Sequence, residues 1–317
     1  MPTRVVVDEH FRPQIAYSSD EPLAAGQVRV RVTRTGVNFW EIMQRRGRVP
    51  HPVSGVPGSE GAGVVTEVAP GVEGLVPGSR VAWSRVPGSY SDSVVAPATA
   101  LTTVPDNVDD DTAASLLFQG TTAAYLVEET WPVSDGDPVV VTAASGGVGL
   151  LLTQLLVARG ARVIGVVSRR AKAEAVREAG SELVLTYSDT VASQILDAFP
   201  EGVAAVFDAV GGATAESLLS ALRPRGAMVL YGSASGREAA ITAQELAAGS
   251  YFLTRAAGRD YLPNSAAVQE YSRKLLDLAS AGSLAARIQA VFRLHDAQDA
   301  WAALESRSTV GKVLLAP

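Results

Sequence analysis

A stretch of twenty residues without a charged side chain, Val139 to Ala158, constrains the fold of this chain most strongly. Its length alone would suit a membrane-spanning helix. However, Ser145-Gly146-Gly147 interrupts it, after a part rich in β-branched valine and before a part rich in leucine. Such a sequence is typical of a strand, a tight turn and a helix, and a parallel strand buried on both faces needs no charged residue. We therefore expect a buried strand-turn-helix unit rather than a membrane helix.

The rest of the sequence is typical of a soluble protein. Its 317 residues are 47% hydrophobic, which is enough for a sizeable core, and the length suggests two domains. The first ten residues carry charges at Arg4, Asp8 and Glu9 and contain no apolar signal region, which predicts a cytoplasmic protein. The sequence has no cysteine, which excludes disulfides, thiolate metal ligands and a cysteine nucleophile.

Charge argues against a nucleic-acid partner. The formal net charge is −6, and acidic and basic residues are scattered along the chain without a basic stripe. The clearest acidic cluster is Asp106 with residues 109–111, just before an alanine and leucine run that starts at Ala113. Carboxylates at this place stabilise the start of a helix, and the cluster lacks histidine and the ligand spacing of a metal site. We interpret it as a helix start.

The pattern of the sequence changes near residue 120. Before it, alternating runs such as Val28–Val32 and Gly63–Val68 are separated by Pro-Gly turns, which is typical of a mainly antiparallel β domain. After it, strand and helix patterns alternate, which implies an α/β fold with a doubly wound parallel sheet. The predicted strands are 138–143, 162–167, 183–186, 203–208 and 226–231, and the predicted helices are 147–159, 170–179, 190–199 and 213–222. A helix over 266–281 and a strand over 312–315 follow.

The glycine-containing turn matches part of a dinucleotide-binding fingerprint. Ala144 to Gly149, ASGGVG, has the second and third glycines of G-x-G-x-x-G, with Ala144 at the first position. Gly146 lets backbone approach a pyrophosphate, and Gly149 lets the helix pack on the strand. The helix start supplies amide groups and the positive end of the dipole. Because the motif lies between a strand and a helix, with another strand about twenty residues later, the context favours dinucleotide binding.

The residues after that second strand indicate which dinucleotide is bound. An NAD enzyme usually has Asp or Glu there to hold the ribose 2′-hydroxyl, whereas this chain has Ser168, Arg169, Arg170 and Lys172. Cations at the start of a helix oppose its dipole, unless a bound anion neutralises them. We therefore expect a 2′-phosphate pocket and NADPH rather than NADH. A solvated basic face is the alternative.

Several separate segments resemble one known family, and the resemblance covers nearly the whole chain. The matching segments are Gly36–Phe39 (GVNF), Pro57–Val65 (PGSEGAGVV), Gln119–Tyr125 (QGTTAAY), Ala144–Gly149 and Gly311-Lys312. The chain resembles the zinc-free quinone oxidoreductase, zeta-crystallin-like, branch of the medium-chain dehydrogenase/reductase superfamily. The resemblance implies a GroES-like substrate domain at 1–119, a Rossmann NADPH-binding domain at 120–258, a return to the substrate domain at 259–317, and a cleft between the domains.

The resemblance also bears on metal binding. Zinc-dependent members of the superfamily use Cys, His and Glu at the metal, with a Gly-His-Glu motif, and the comparable place here reads Gly58-Ser59-Glu60. His10, His51 and His295 are far apart and lack ligand spacing. We therefore expect no metal site and no Lewis-acid alcohol oxidation. Hydride addition to a quinone or to an α,β-unsaturated carbonyl needs no metal.

By the same resemblance, Asn38 lies near the nicotinamide or its ribose and shapes the substrate site. Tyr187 packs against the adenosine end, although Tyr187 and Tyr231 are alternatively ordinary aromatic residues at strand ends. The residues implied in cofactor binding are Asn38, Thr122, Ser145, Gly146, Gly147, Val148, Ser168, Arg169, Lys172, Tyr187, Tyr231, Gly232, Ser233 and Lys312. The protein must aim the cofactor at the acceptor, exclude water and stabilise the developing oxyanion.

The substrate region departs from the family pattern. Trp40, Glu41, Met43 and Val49 occupy positions where the family commonly has Asp and then tyrosines that wall the substrate site. No tyrosine lies between residues 17 and 90, so this segment supplies no phenolic proton donor. Glu41 is a candidate acid, with an exposed structural carboxylate as the alternative, and solvent could equally protonate the product.

Three functions remain open from the sequence. The first is a quinone reductase. The second is an enoyl or alkenal reductase in a biosynthetic pathway, which the missing tyrosine wall favours. The third, from another class, is a non-catalytic NADPH-binding protein, because intact cofactor motifs do not distinguish a catalyst from a binder.

The sequence also suggests an oligomeric state. Ser250 to Thr254 reads as a last Rossmann strand at the edge of the sheet. An edge strand invites pairing with its twin across a two-fold axis, and related proteins dimerise in this way. We therefore expect a homodimer with a continuous sheet.

Overall fold

The structure is a computed structural model, and it describes residues 2–17, 22–52 and 54–317. The chain divides into two compact units, the first formed by Met1–Thr121 with Asn264–Pro317 and the second by Thr122–Pro263. The divisions at 121 and 263 lie a few residues after the predicted domain boundaries at 119 and 258. Among the described residues, no helix combines the length and the apolar composition needed to cross a bilayer.

The strands and helices are numbered along the chain. The strands are β1 (Thr3–Val7), β2 (Pro13–Tyr17), β3 (Gln27–Val37), β4 (Glu60–Val68), β5 (Arg80–Ser84), β6 (Ser93–Pro97), β7 (Leu101–Thr103), β8 (Pro138–Thr142), β9 (Arg162–Val167), β10 (Leu183–Thr186), β11 (Val203–Asp208), β12 (Leu222–Leu230), β13 (Phe252–Arg255), β14 (Ile288–Arg293) and β15 (Lys312–Ala316). The helices are α1 (Phe39–Arg45), α2 (Asp110–Tyr125), α3 (Gly147–Ala158), α4 (Ala173–Glu178), α5 (Val191–Ala198), α6 (Ala213–Leu218), α7 (Ala243–Ala247), α8 (Gly258–Tyr261), α9 (Ser265–Ser280) and α10 (Ala297–Glu305).

The first unit is built on a seven-stranded sheet. Its strand order is β14-β15-β3-β4-β5-β7, and β6 pairs with β3 outside that path. The pairs are antiparallel except β14 with β15, and β1 with β2 forms a separate antiparallel ribbon. One core centres on Phe11, Tyr90 and Trp301, and another on Trp83. The predicted mainly antiparallel, GroES-like domain is confirmed.

The second unit is a parallel α/β sheet. Its six strands follow the order β10-β9-β8-β11-β12-β13, and every neighbouring pair is parallel. The order reverses direction between β8 and β11, and such a switch point is where doubly wound sheets bind ligands. Residues such as Ile195 and Leu218 pack helices on one face of the sheet. The predicted Rossmann fold is confirmed.

Two predicted boundaries in the second unit are wrong. The helix predicted over 213–222 ends at Leu218 with a short 3-10 turn, and β12 already begins at Leu222 rather than at 226. The reason is an irregularity inside one strand: Arg225 has φ +61° and donates its N–H to Gly249 O at 2.7 Å, next to Pro224. Because such a bulge interrupts the strand pattern in the sequence, a single strand is read as two separate segments.

Other predicted elements agree closely with the structure. The acidic cluster lies at the start of α2, where Asp109 Oδ1 accepts the N–H of Thr112 at 2.7 Å. The segment predicted as helix 170–179 begins as a 3-10 turn over 170–172 and continues as α4. The predicted edge strand is β13, which starts two residues later than expected because Ser250 has a left-handed backbone, φ +51°.

Candidate functional site

The glycine-containing turn leaves the start of α3 open. β8 ends at Thr142, and Gly146 occupies the N-cap position with an extended backbone and no side-chain cap. The first amide groups of a helix have no partner inside the helix. Ser145, Gly147 and Val148 therefore present backbone N–H groups, and the positive end of the helix dipole, at the carboxyl edge of the sheet, whereas the N–H of Gly146 donates to Ala143 O at 2.8 Å.

Gly149 is required for the close approach of α3 to this turn. A Cβ atom at Gly149 would lie 2.5 Å from Ala143 O and 2.7 Å from Ala144 Cα, which no side chain tolerates. The role predicted for the third glycine of the fingerprint is thus visible in the structure.

The basic residues predicted to bind a 2′-phosphate lie on one short segment after β9. Ser168, Arg169 and Arg170 are exposed, whereas Lys172 is buried in the 3-10 turn that precedes α4. Burial and the neighbouring Arg169 lower the pKa of the Lys172 ammonium. The segment therefore concentrates positive charge beside the glycine turn, since β8 and β9 are neighbours in the sheet.

Both predicted tyrosines lie at the same edge of the sheet. Tyr187 follows β10, and its hydroxyl accepts the N–H of Ala143 at 2.6 Å. Tyr231 follows β12, and its buried hydroxyl has no hydrogen-bond partner in the described part of the chain. Burial is the main cause that raises the pKa of both hydroxyls. Gly232 and Ser233, next along the chain, are half-buried, and Thr122 is half-buried near the end of α2.

Asp208 is a residue of this edge that the sequence did not single out. It is fully buried at the end of β11, where it accepts bonds from the Thr142 hydroxyl at 2.7 Å and from the N–H groups of Val210 and Gly211 at 3.1 and 2.6 Å. Burial raises its pKa. The sequence signal was a carboxylate at the last position of a buried strand, shortly before Gly211, whose φ is +72°.

In the first unit, Asn38 lies inside a buried charged cluster. Lys312 Nζ contacts Glu60 Oε1 and donates to Asn38 Oδ1 at 2.7 Å. Asn38 Nδ2 donates to Glu60 Oε1 at 2.7 Å, and the N–H of Phe118 donates to Glu60 Oε2 at 2.9 Å. The cluster joins four segments that are separated in sequence, around residues 38, 60, 118 and 312. It brings together Asn38 and Lys312, both predicted, with Glu60, which was not among the predicted site residues.

The charges in this cluster fix the orientation of two amide side chains. Because Asn38 Nδ2 faces the Glu60 carboxylate, Asn38 Oδ1 must face the Lys312 ammonium. Gln119 Nε2 donates to the same oxygen at 3.3 Å, so Gln119 Oε1 points away from Asn38. Among the described residues this buried oxygen has no hydrogen-bond partner. Gln119 was part of a segment that carried the resemblance, but its role depends on contacts that its sequence position does not reveal.

Glu41 is buried, so the expectation of an exposed structural carboxylate is wrong. Its side chain has 0% exposure, and Glu41 Oε2 accepts the backbone N–H of Asn38 at 2.7 Å in a capping box at the start of α1. Its Oε1 is buried without a hydrogen-bond partner in the described chain. Desolvation raises the pKa of Glu41 to about 8. The neighbouring Trp40 is the exposed member of this segment.

Comparison with known proteins identifies the family. Residues 24–106 match the alcohol dehydrogenase GroES-like domain, and residues 147–279 match the zinc-binding dehydrogenase domain. A 2-haloacrylate reductase from Burkholderia is 38% identical over 304 residues, which cover 92% of this chain and 91% of that protein. The chain belongs to the zinc-free quinone oxidoreductase branch of the medium-chain dehydrogenase/reductase superfamily.

Two quinone oxidoreductases support this assignment over the whole length. The enzyme from Pseudomonas aeruginosa is 33% identical over 328 residues, which cover 100% of both chains. The crystal structure of Escherichia coli quinone oxidoreductase complexed with NADPH has a TM-score of 0.93 at 30% identity, covering 99% of this chain and 100% of that one. The family predicted from the sequence is confirmed.

The side chains of the described residues do not provide a binding site for a zinc ion. The sequence has no cysteine, and in the described ranges no three His, Asp or Glu side chains are grouped as metal ligands. The rings of His51 and Phe11 form a T-shaped pair with 5.3 Å between centroids, and Glu60 is already engaged by Lys312. A cation of the protein itself thus occupies one side of Glu60.

Glu41 makes the stability of the fold depend on pH. Between the ordinary pKa of 4.5 and the folded value of about 8, the folded chain keeps a proton that the unfolded chain has lost. Stability therefore falls as pH rises through this window. Glu41→Gln keeps an oxygen that accepts the Asn38 N–H but has no carboxyl group that titrates. We therefore expect the free energy of unfolding of the variant to increase relative to that of the wild type as pH rises. Urea unfolding midpoints at a series of pH values measure this, with the exposed Glu201→Gln as control. Parallel curves for Glu41→Gln and wild type would contradict it.

The Lys312 and Glu60 side chains depend on one another energetically. Either Lys312→Met or Glu60→Gln leaves one buried charge without its counter-charge, which costs about 3–5 kcal/mol of unfolding free energy. The double variant buries neither charge, so we expect it to lose clearly less than the sum of the two single losses. Urea unfolding of all four proteins measures the coupling. Additive losses would show that the two charges do not interact.

Proposed function

We propose that the protein is an NADPH-dependent, zinc-independent oxidoreductase that transfers hydride to a quinone or a conjugated carbonyl compound. The observation that carries the proposal is the uncapped start of α3 beside the basic segment after β9. A helix start of this kind binds a pyrophosphate, and a buried lysine with neighbouring arginine suits a second, separate phosphate. We also propose that it works in the cytoplasm.

The residues of the second unit fit the cofactor. In this proposal the amides of Ser145, Gly147 and Val148 hold the pyrophosphate, and Gly146, whose N–H is bonded to Ala143 O, lets the backbone approach it closely. Ser168, Arg169 and Lys172 hold the 2′-phosphate, whose negative charge would stabilise the buried Lys172 ammonium. The hydroxyl of Tyr231, buried without a partner in the described chain, is available to a polar group of the cofactor. Thr122, Gly232 and Ser233 complete the proposed contacts, and Tyr187 belongs to the set through its bond to Ala143 beside the glycine turn. NADPH supplies the hydride when bound.

The residues of the first unit support the acceptor end of the reaction in this proposal. Lys312 and Glu60 hold the Asn38 side chain in one orientation, so its polar groups need no reorganisation during the reaction. Burial raises the pKa of Glu41 to about 8, which favours the neutral acid near pH 7, and Oε1 is the oxygen available for the proton because Oε2 accepts the Asn38 N–H. Glu41 is thus our candidate proton reservoir for the reduced product, with solvent as the alternative donor.

A reductase of conjugated carbon-carbon double bonds is the second candidate function. The absence of tyrosine between residues 17 and 90 removes the aromatic wall that similar quinone reductases have. The relative that is 38% identical is a 2-haloacrylate reductase, whose name specifies a conjugated substrate. Both observations favour an electron-poor alkene over a quinone as the acceptor.

We further propose a homodimer that forms through β13. This strand lies at the edge of the parallel sheet, and Phe252 and Leu253 expose 51% and 38% of their surface. Exposed apolar residues on an edge strand favour pairing with a second copy.

The proposed function predicts a preference for NADPH that depends on the basic segment. We expect Arg169→Ala and Lys172→Ala to raise the KM for NADPH about tenfold more than the KM for NADH, because only NADPH carries the 2′-phosphate. Arg159→Ala is a matched control, since Arg159 is exposed at the opposite end of α3. Oxidation of both nucleotides is followed at the nicotinamide absorbance, with simple quinones and conjugated enones as acceptors.

Other outcomes of the same assay would count against the proposal. Equal use of NADPH and NADH by wild type would contradict the 2′-phosphate site. Tight NADPH binding without turnover of any acceptor would favour the non-catalytic binding protein. The acceptor with the higher kcat/KM decides between the quinone and the alkene.

The proposed dimer predicts twice the mass of one chain in light scattering at micromolar concentration. Leu253→Asp places a charge on the edge strand and should give the mass of a monomer. Val291→Asp is the matched control, because Val291 is an exposed aliphatic residue on β14, at the edge of the other sheet. A wild-type monomer would contradict the dimer.

A further inference from the structure

Ala143, the residue between β8 and the glycine turn, has a backbone conformation that alanine rarely adopts. Its φ is +47°, in the left-handed region, where a Cβ atom crowds the backbone. A residue of this kind keeps the conformation only when its surroundings hold it there. Ala143 directly precedes the six-residue fingerprint, so its conformation sets the direction in which the turn leaves the sheet.

The backbone groups of Ala143 are held on both sides. Its carbonyl oxygen accepts the N–H of Gly146 at 2.8 Å and packs against Gly149. Its N–H donates to the hydroxyl of Tyr187 at 2.6 Å. The next residue, Ala144, donates its N–H to Val166 O at 3.1 Å. Of these restraints, the bond that Ala143 N–H donates to the Tyr187 hydroxyl is the one that involves a side chain.

Tyr187 reaches Ala143 across an intervening strand. In the sheet, β9 lies between β10, which Tyr187 follows, and β8, which Ala143 follows. The backbone N–H of Tyr187 donates to Val167 O at 3.2 Å, and its ring packs against the core cluster of the second unit. The ring is therefore anchored over the end of β9, and its hydroxyl is placed at the glycine turn.

We propose that Tyr187 is a positioning residue, whose hydroxyl holds Ala143 in the left-handed conformation and thereby keeps the turn in the form that binds a pyrophosphate. This inference rests on the proposed function, and it differs from a ring that packs against adenosine. The pyrophosphate is common to NADPH and NADH. Loss of the Tyr187 hydroxyl therefore weakens the binding of both nucleotides by the same factor. Loss of the Lys172 side chain, in contrast, weakens the binding of NADPH more than that of NADH.

The test uses Tyr187→Phe, which keeps the ring and removes the hydroxyl. We expect its Kd values for NADPH and for NADH, measured by titration calorimetry, to rise by about tenfold each, because the Ala143 N–H loses its partner. Hydrogen exchange at the Ala143 amide should become faster in the protein without nucleotide. Tyr251→Phe is the matched control, since the Tyr251 hydroxyl donates to Leu222 O at 3.4 Å, at the start of β12.

A second variant separates positioning from direct contact with the nucleotide. Glycine adopts a positive φ without steric cost. In an Ala143→Gly background, therefore, removal of the Tyr187 hydroxyl should raise Kd by only about threefold, which is less than in the wild-type background. If Tyr187 instead contacts the nucleotide directly, removal of its hydroxyl will raise Kd by the same factor in both backgrounds. That result would overturn the positioning role.

Three further results would overturn the inference. If Tyr187→Phe changes neither the Kd values nor the rate of hydrogen exchange at the Ala143 amide, the hydroxyl does not restrain Ala143. If Tyr187→Phe loses affinity for NADPH but not for NADH, Tyr187 acts at the 2′-phosphate instead. Wild-type protein that binds neither nucleotide would overturn the proposed function, and the positioning role with it.

Discussion

The buried contact between Lys312 and Glu60 is the interaction on which the arrangement of the first unit depends. Two opposite charges in a dry interior are tolerated only together, and removing either leaves the other without compensation. Their geometry also orients Asn38, because its Nδ2 must face Glu60 and its Oδ1 must face Lys312, and Asn38 Oδ1 in turn accepts a bond from Gln119 Nε2. Lys312 lies on β15, so the last segment of the chain is required to complete a polar cluster that begins with α1 and β4.

The second unit joins its loops by individual hydrogen bonds. Loops that follow parallel strands emerge at one edge, and here side chains tie them together: Tyr187 bonds to Ala143, and Thr142 bonds to Asp208. Asp208 in turn accepts the N–H of Gly211. In the proposed function, these bonds restrain the backbone that approaches a phosphate of the cofactor. A rigid turn loses little conformational freedom when a ligand binds.

Local patterns in the sequence were sufficient to predict the fold. The glycine turn, the alternation after residue 120 and the acidic start of α2 each depend on neighbouring residues, and the structure has all three. The candidate site could be predicted only in part. Asn38 and Lys312 are 274 positions apart, so no local pattern shows that they meet. Burial of Glu41, the free oxygen of Gln119 and the bulge at Arg225 likewise follow from tertiary packing, which overrides local preference.

The measurement that tests the account most directly is the transfer of deuterium from NADPH labelled at the nicotinamide C4 position to a conjugated enone. Mass spectrometry of the product reports whether deuterium has moved from the cofactor to carbon, and the use of each C4 epimer in turn shows which face delivers it. The account predicts a product with a single deuterium, from one epimer only, because the cofactor is held in a fixed orientation. A reduced product without deuterium from either epimer would contradict hydride transfer by this protein.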